Sequence, residues 1–181
     1  MILSDRELVE MLREPRTRRE GFAVLVKQYS EKLYWKVRRI VLSHEDANDV
    51  LQNVFIKVWS NLQNFQGKSS LSTWLYRIAI NESLDFLRKQ KLADKVSADE
   101  DVSVASKLMS DEYFDGDEVQ ARLQEAVARL PEVQRTVFNL KYFEEMKYSE
   151  ISQILNTSEG ALKASYHLAV KKITEYLHLF D

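Results

Sequence analysis

Residues 131 to 173 read PEVQRTVFNLKYFEEMKYSEISQILNTSEGALKASYHLAVKKI, and few folds accommodate such a stretch. Ser149 suits the N-cap of a short helix over residues 150–155, with Ile151, Ile154 and Leu155 turned inward. Asn156 and Thr157 fit a tight turn. Ser158 then caps a longer helix, and Glu159 complements its positive N-terminal end. Leu162, Tyr166, Ala169 and Ile173 repeat at i, i+4, i+7 and i+11, which gives that helix one core-facing stripe. A short helix, a turn and a longer basic helix are the parts of a helix-turn-helix, which sets its second helix in a DNA major groove. Lys163, Ser165, His167, Lys171 and Lys172 are left for the other face, where lysines meet phosphates and small polar groups reach base edges.

The rest of the chain also reads as helix. Phe22, Leu25, Val26, Tyr29, Leu33 and Val37 form one apolar stripe, and Ala47, Val50, Leu51, Val54, Phe55 and Val58 a second. Trp74, Leu75, Ile78 and Ala79 begin a third that continues to Leu84 and Leu87. A further amphipathic helix covers residues 119–130 and stops at Pro131, which suits the first turn of the helix after it. Only four glycines and two prolines interrupt the 181 residues, and no period-2 run points to a sheet. The expected fold is therefore all-α. The absence of cysteine excludes disulfides, thiolate metal sites and cysteine nucleophiles. No apolar run reaches the roughly 20 residues of a membrane span, and the charged N-terminus does not read as a signal peptide, so a cytoplasmic location without membrane insertion is expected.

The formal net charge of −2 hides a segregation. Residues 20–92 carry 11 basic against 7 acidic side chains, whereas residues 93–120 carry 2 against 9. The acidic segment has weak periodicity and many Asp and Ser residues, which predicts a flexible linker between two helical domains. The expected organisation is a first domain over 1–92, a linker over 93–118 and a second domain over 119–181.

Two patterns in the first domain carry function. HEDANDVLQNVFIKVW, at residues 44–59, buries one face and presents Asp49, Gln52, Asn53 and Lys57 on the other, as a helix-docking or a solvated surface would. NFQGKSSLSTWLYRIAINESLDFLRKQK, at residues 64–91, leads from a polar loop into a helix that interleaves aromatic and basic residues. Trp74 reads as core because it lies on the apolar stripe. The rest of the pattern suits single-stranded nucleic acid, where rings stack on bases and cations hold phosphates. The serine-rich loop beside it suits hydrogen bonding to an extruded base.

These segments resemble a bacterial sigma factor of the extracytoplasmic-function (ECF) type, which keeps only sigma domains 2 and 4. DVLQNVFIKVW followed by STWLYRIAINESLDFLRK carries the domain 2 resemblance. LPEVQRTVFNLKYFEEMKYSEISQIL and SEGALKASYHLAVKKI carry that of domain 4. The resemblance implies that Asp49, Gln52, Asn53 and Lys57 dock on the β′ clamp helices of core RNA polymerase. It implies −10 promoter contacts from Gly67, Lys68, Ser69, Ser70, Ser72, Arg77, Asn81, Arg88 and Lys89. It implies −35 contacts from Ser158, Glu159, Gly160, Lys163, Ser165, His167 and Lys171, a touch of domain 4 on the β flap, and an anti-sigma factor as partner. Asn53 stands where the family usually has an acidic residue, and Ser165, Leu168 and Val170 where it often has arginines.

The competing function is a stand-alone helix-turn-helix transcriptional regulator, which would bind duplex DNA without polymerase. An enzyme is not expected, because no glycine-rich phosphate loop or nucleophile motif is present. His44, Glu45, Asp46 and Asp49 are the one cluster that suggests a metal, and acids at a helix start have a simpler cause in the helix dipole, so no metal and no cofactor is expected.

Overall fold

A computed structural model describes residues 2–93 and 116–180; most of the acidic linker expected over 93–118 therefore lies outside the described residues. The described residues are helical with no strand and divide into two compact units.

The first unit holds α1 (Asp5–Arg13), α2 (Arg18–Val41), α3 (His44–Asn61), a 3₁₀ turn (Leu62–Asn64) and α4 (Leu71–Ala93). The long α2 packs against the other three helices, so its buried residues Leu25, Leu33, Val37 and Ile40 form the spine of the core. Ala47, Val50, Val54 and Val58 meet it from α3, and Leu71, Leu75, Ala79 and Ile80 from α4. On α4 it is Ile80 that is fully enclosed; Ile78, expected in the stripe, is only half-buried. Trp74 is likewise half-buried and packs on Phe65 with ring centroids 5.0 Å apart, because it sits at the loop end of the bundle and not in its centre.

Helix α1 was not evident from apolar periodicity, since only Leu8 and Leu12 are buried. Its signal is the Ser4–Glu7 capping box: Glu7 N–H donates to Ser4 Oγ at 3.3 Å, and Ser4 N–H donates to the Glu7 carboxylate at 2.8 Å. The helix is fastened to α2 by Thr17 Oγ1 donating to the Met11 carbonyl at 2.9 Å and Arg18 Nε to the Leu12 carbonyl at 3.0 Å. Gly21 allows this approach, because a Cβ there would lie 2.8 Å from Met11 Cβ.

The second unit holds α5 (Glu118–Ala128), α6 (Glu132–Phe138), a π-helical turn (Asn139–Phe143), α7 (Tyr148–Leu155) and α8 (Glu159–Leu177), closed by a 3₁₀ turn (His178–Phe180). Ala126, Val127, Leu130, Phe138, Ala169 and Ile173 form a buried cluster, with Tyr166 packed against it. Pro131 is the N-cap of α6 and not its first helical residue. The cap expected at Ser149 also moves: α7 begins at Tyr148 with Lys147 in extended conformation before it. The reason is Glu150, whose carboxylate accepts the Lys147 N–H at 3.0 Å and satisfies an end of the helix that Ser149 would otherwise serve. The turn expected at Asn156 is present, with Asn156 left-handed at φ 50°, and Ser158 Oγ accepts the Ala161 N–H at 3.3 Å.

Candidate nucleic-acid and polymerase interfaces

The outer face of α3 displays Asp49, Gln52 and Asn53, all exposed, at spacings of three and one. The same face continues through Ile56, which is 65% exposed although isoleucine, and Trp59 is exposed at 41% one turn on. Sequence reasoning missed Ile56, because periodicity identifies inward stripes and says nothing of an apolar residue standing among polar ones. Lys57 is not independent of the fold: its ammonium pairs with Glu82 on α4, and that hydrogen bond holds its pKa above the ordinary lysine value.

The loop between the 3₁₀ turn and α4 carries Gly67 at φ +69°, a left-handed position that favours glycine. Gly67, Lys68 and Ser70 are exposed, while Ser69 and Ser72 are half-buried. Ser70 is partly committed, since its Oγ accepts the Thr73 N–H at 3.1 Å and caps α4. Between α1 and this loop opens a cleft of about 440 Å³, lined among others by Asp5, Glu10, Arg13, Phe65, Gly67 and Ser69. Along α4, Asn81, Arg88 and Lys89 are exposed, Arg77 is half-buried, and Arg88 pairs with Asp85 at 2.7 Å.

A basic patch that the sequence reading did not single out adjoins this helix. Lys36 of α2 sets its ammonium 4.1 Å from the centroid of the Tyr76 ring. Burial pushes the Lys36 pKa down to about 8, and its like-charged neighbours Arg39 and Lys32 add to the shift.

On α8, Leu162, Ala169 and Ile173 are buried and Tyr166 half-buried, as the stripe predicts. Lys163, His167 and Lys171 project outward at i, i+4 and i+8, but Ser165 does not join them. Two residues are a rotation of about 200°, which carries Ser165 to the half-buried edge of the stripe. Lys163 Nζ lies 5.7 Å from the Tyr148 ring centroid, and Lys141 Nζ lies 4.9 Å from the same ring. Glu159 and Gly160 are exposed, and a Cβ at Gly160 would meet nothing within 4 Å. Leu168 and Val170 are exposed at 45% and 40%. At the cluster that suggested a metal, His44 has both ring nitrogens engaged, by Tyr34 Oη at 2.7 Å and Asn48 Nδ2 at 3.0 Å.

Residues 25–93 match the model of Sigma-70 region 2, and residues 120–173 that of Sigma-70 region 4; together they cover more than half of the chain. The sequence is 33% identical to the ECF RNA polymerase sigma factor SigW of Bacillus subtilis (strain 168), over 82% of this chain and 84% of that one. The chain belongs to the ECF sigma factors. It is 31% identical to the RNA polymerase sigma-H factor of Pseudomonas aeruginosa, over 96% and 93% of the two chains. The fold is similar to that of the sigma factor RpoE of Bartonella quintana, solved in complex with the anti-sigma factor NepR, with a TM-score of 0.70 at 20% identity, covering 88% of this chain and 98% of that one. These matches favour a sigma factor over a stand-alone regulator. In this sigma factor the first unit is domain 2 and the second is domain 4. No described helix is long and apolar enough to cross a membrane.

Proposed function

We propose that this sigma factor docks on core RNA polymerase through the Asp49, Gln52, Asn53, Ile56 and Lys57 face of α3. Gly67, Lys68, Ser69, Ser70 and Ser72 of the loop, with Arg77, Asn81, Arg88 and Lys89 of α4, engage the melted −10 strand. Helix α8 enters the major groove of the −35 element through Gly160, Lys163, His167 and Lys171, with Ser158 and Glu159 at its start. The β flap receives domain 4, an anti-sigma factor covers the docking faces in the silent state, and the protein works in the cytoplasm. Catalysis belongs to the polymerase and not to this chain.

One observation carries the reading: a single chain combines the region 2 and region 4 matches with an exposed α3 face that no core packing explains. Two tethered readers also gain affinity through effective concentration, so each needs only modest strength alone. Co-migration of the purified protein with core polymerase on a sizing column tests the docking face. Changing Gln52→Ala and Asn53→Ala together should weaken the complex and leave the helical circular dichroism intact, because both side chains are exposed. Equal co-migration of wild type and variant would remove this face from the interface.

Lys163→Ala tests the recognition helix. It should leave co-migration unchanged and lower initiation at promoters that depend on a −35 element, by about 1 kcal/mol or more of lost contact. Normal run-off transcription from such a promoter would place the −35 contacts elsewhere.

A further inference from the structure

We propose that Arg13, at the end of α1, is a DNA contact of this sigma factor: it holds a backbone phosphate of the single strand as that strand passes the loop at Gly67. The inference rests on the reading above that the loop faces the melted −10 strand, and it adds the N-terminal helix to the surface that receives it.

Four observations converge on Arg13. First, the cleft between α1 and the loop is walled by both elements, so a strand seated on the loop lies against α1. Second, a Cβ built on Gly67 would have one neighbour within 4 Å, the Arg13 Nη2 at 3.5 Å. The open space over the bare glycine backbone is thus bounded by a guanidinium, and glycine is the residue that lets another backbone approach closely. Third, the other charged groups of the cleft have partners. Glu10 pairs with Arg6 at 3.3 Å, and Asp5 accepts the Tyr29 hydroxyl at 2.5 Å. Among the described residues the Arg13 guanidinium has no hydrogen bond or ion pair. Fourth, its backbone is anchored: Arg18 donates to the carbonyls of Leu12 and Arg13, at 3.0 and 3.4 Å, and Gly21 allows α1 to pack tightly against α2.

An exposed, unpaired guanidinium beside a glycine backbone suits a phosphate, which it meets with paired N–H donors. Asp5 and Glu10 in the same cleft are held by Tyr29 and Arg6, which leaves the Arg13 guanidinium as the charged group of the cleft open to a phosphate.

The test uses the full chain assembled with core RNA polymerase on a template whose −10 region is held open as single strand. Binding is measured across a salt series for wild type, Arg13→Ala, Arg13→Lys and Lys68→Ala. Loss of one single-strand phosphate contact should lower the magnitude of the salt slope by about 0.7, with affinity down on the order of threefold to tenfold. The expected result is that Arg13→Ala and Lys68→Ala each lose this slope, while Arg13→Lys keeps most of it, since an ammonium still neutralises a phosphate. If Lys68→Ala loses slope and Arg13→Ala does not, the Arg13 contact is overturned and the loop reading stands. If neither changes, the loop reading falls and the Arg13 contact with it. Failure of Arg13→Lys to retain the slope would overturn the assignment to a phosphate.

Discussion

Replacing Ile56 by aspartate is expected to abolish stable association with core RNA polymerase while leaving the fold in place. Ile56 is 65% exposed and follows Asp49, Gln52 and Asn53 along one face of α3. A lone exposed apolar residue is ordinary on a protein surface. Its position at the end of the proposed docking row is what gives it weight, because interface energy concentrates in a few residues that become fully desolvated. Burying an isoleucine against a partner is worth about 1.5–3 kcal/mol. A carboxylate in its place forfeits that and adds roughly 1–3 kcal/mol for a buried group without a partner. Together these amount to a loss of about sixtyfold or more in affinity. The side chain contributes little to the core, so the thermal midpoint should match wild type, with a stability change within about 0.5 kcal/mol. Titration of core polymerase with fluorescently labelled protein gives the affinity directly. Wild-type affinity in the variant would show that α3 does not dock through this face.

Most of the architecture was written in the apolar spacing. The α3 and α8 stripes reappear as buried rows, and the turn at Asn156 and cap at Ser158 stand where side-chain chemistry puts them. What the sequence hid falls into two physical kinds. One is local backbone satisfaction, where two groups compete for the same orphan donors: Glu150 reaches back to Lys147, so α7 starts before Ser149. The Ser4–Glu7 box is the same kind of signal, legible in principle in a helix too short and charged to show a stripe. The other kind is tertiary. That Lys57 meets Glu82, that Lys36 lies over Tyr76, and that Arg13 lies at Gly67 depends on how helices distant in sequence pack, which no spacing along one helix encodes. Ser165 differs in kind: helical geometry sets it at the half-buried edge of the stripe, apart from Lys163, His167 and Lys171, which its polar chemistry alone does not reveal.

Leu162→Ala is expected to unfold domain 4 selectively. Leu162 is fully buried in the first turn of α8, where the helix-turn-helix closes on its own core. Truncating a buried leucine costs about 2–5 kcal/mol, the removed methyls and the cavity both contributing. Residues 116–180 form a small unit, and small units hold only a few kcal/mol in reserve. A loss of this size consumes much or all of that stability. Leu168→Ala, on the same helix but 45% exposed, is the matched control, with the same chemistry and helix propensity but no cavity. Urea unfolding of the full chain, followed by circular dichroism, should show two transitions if the units unfold independently. Leu162→Ala should move or erase the one belonging to domain 4, and Leu168→Ala should leave both near wild type. Equal midpoints for the two variants would mean that Leu162 is not the anchor of α8. The functional consequence follows from the division of labour between the units. With α8 loosened and α3 untouched, co-migration with core polymerase should persist through domain 2, while initiation that requires the −35 element should be lost.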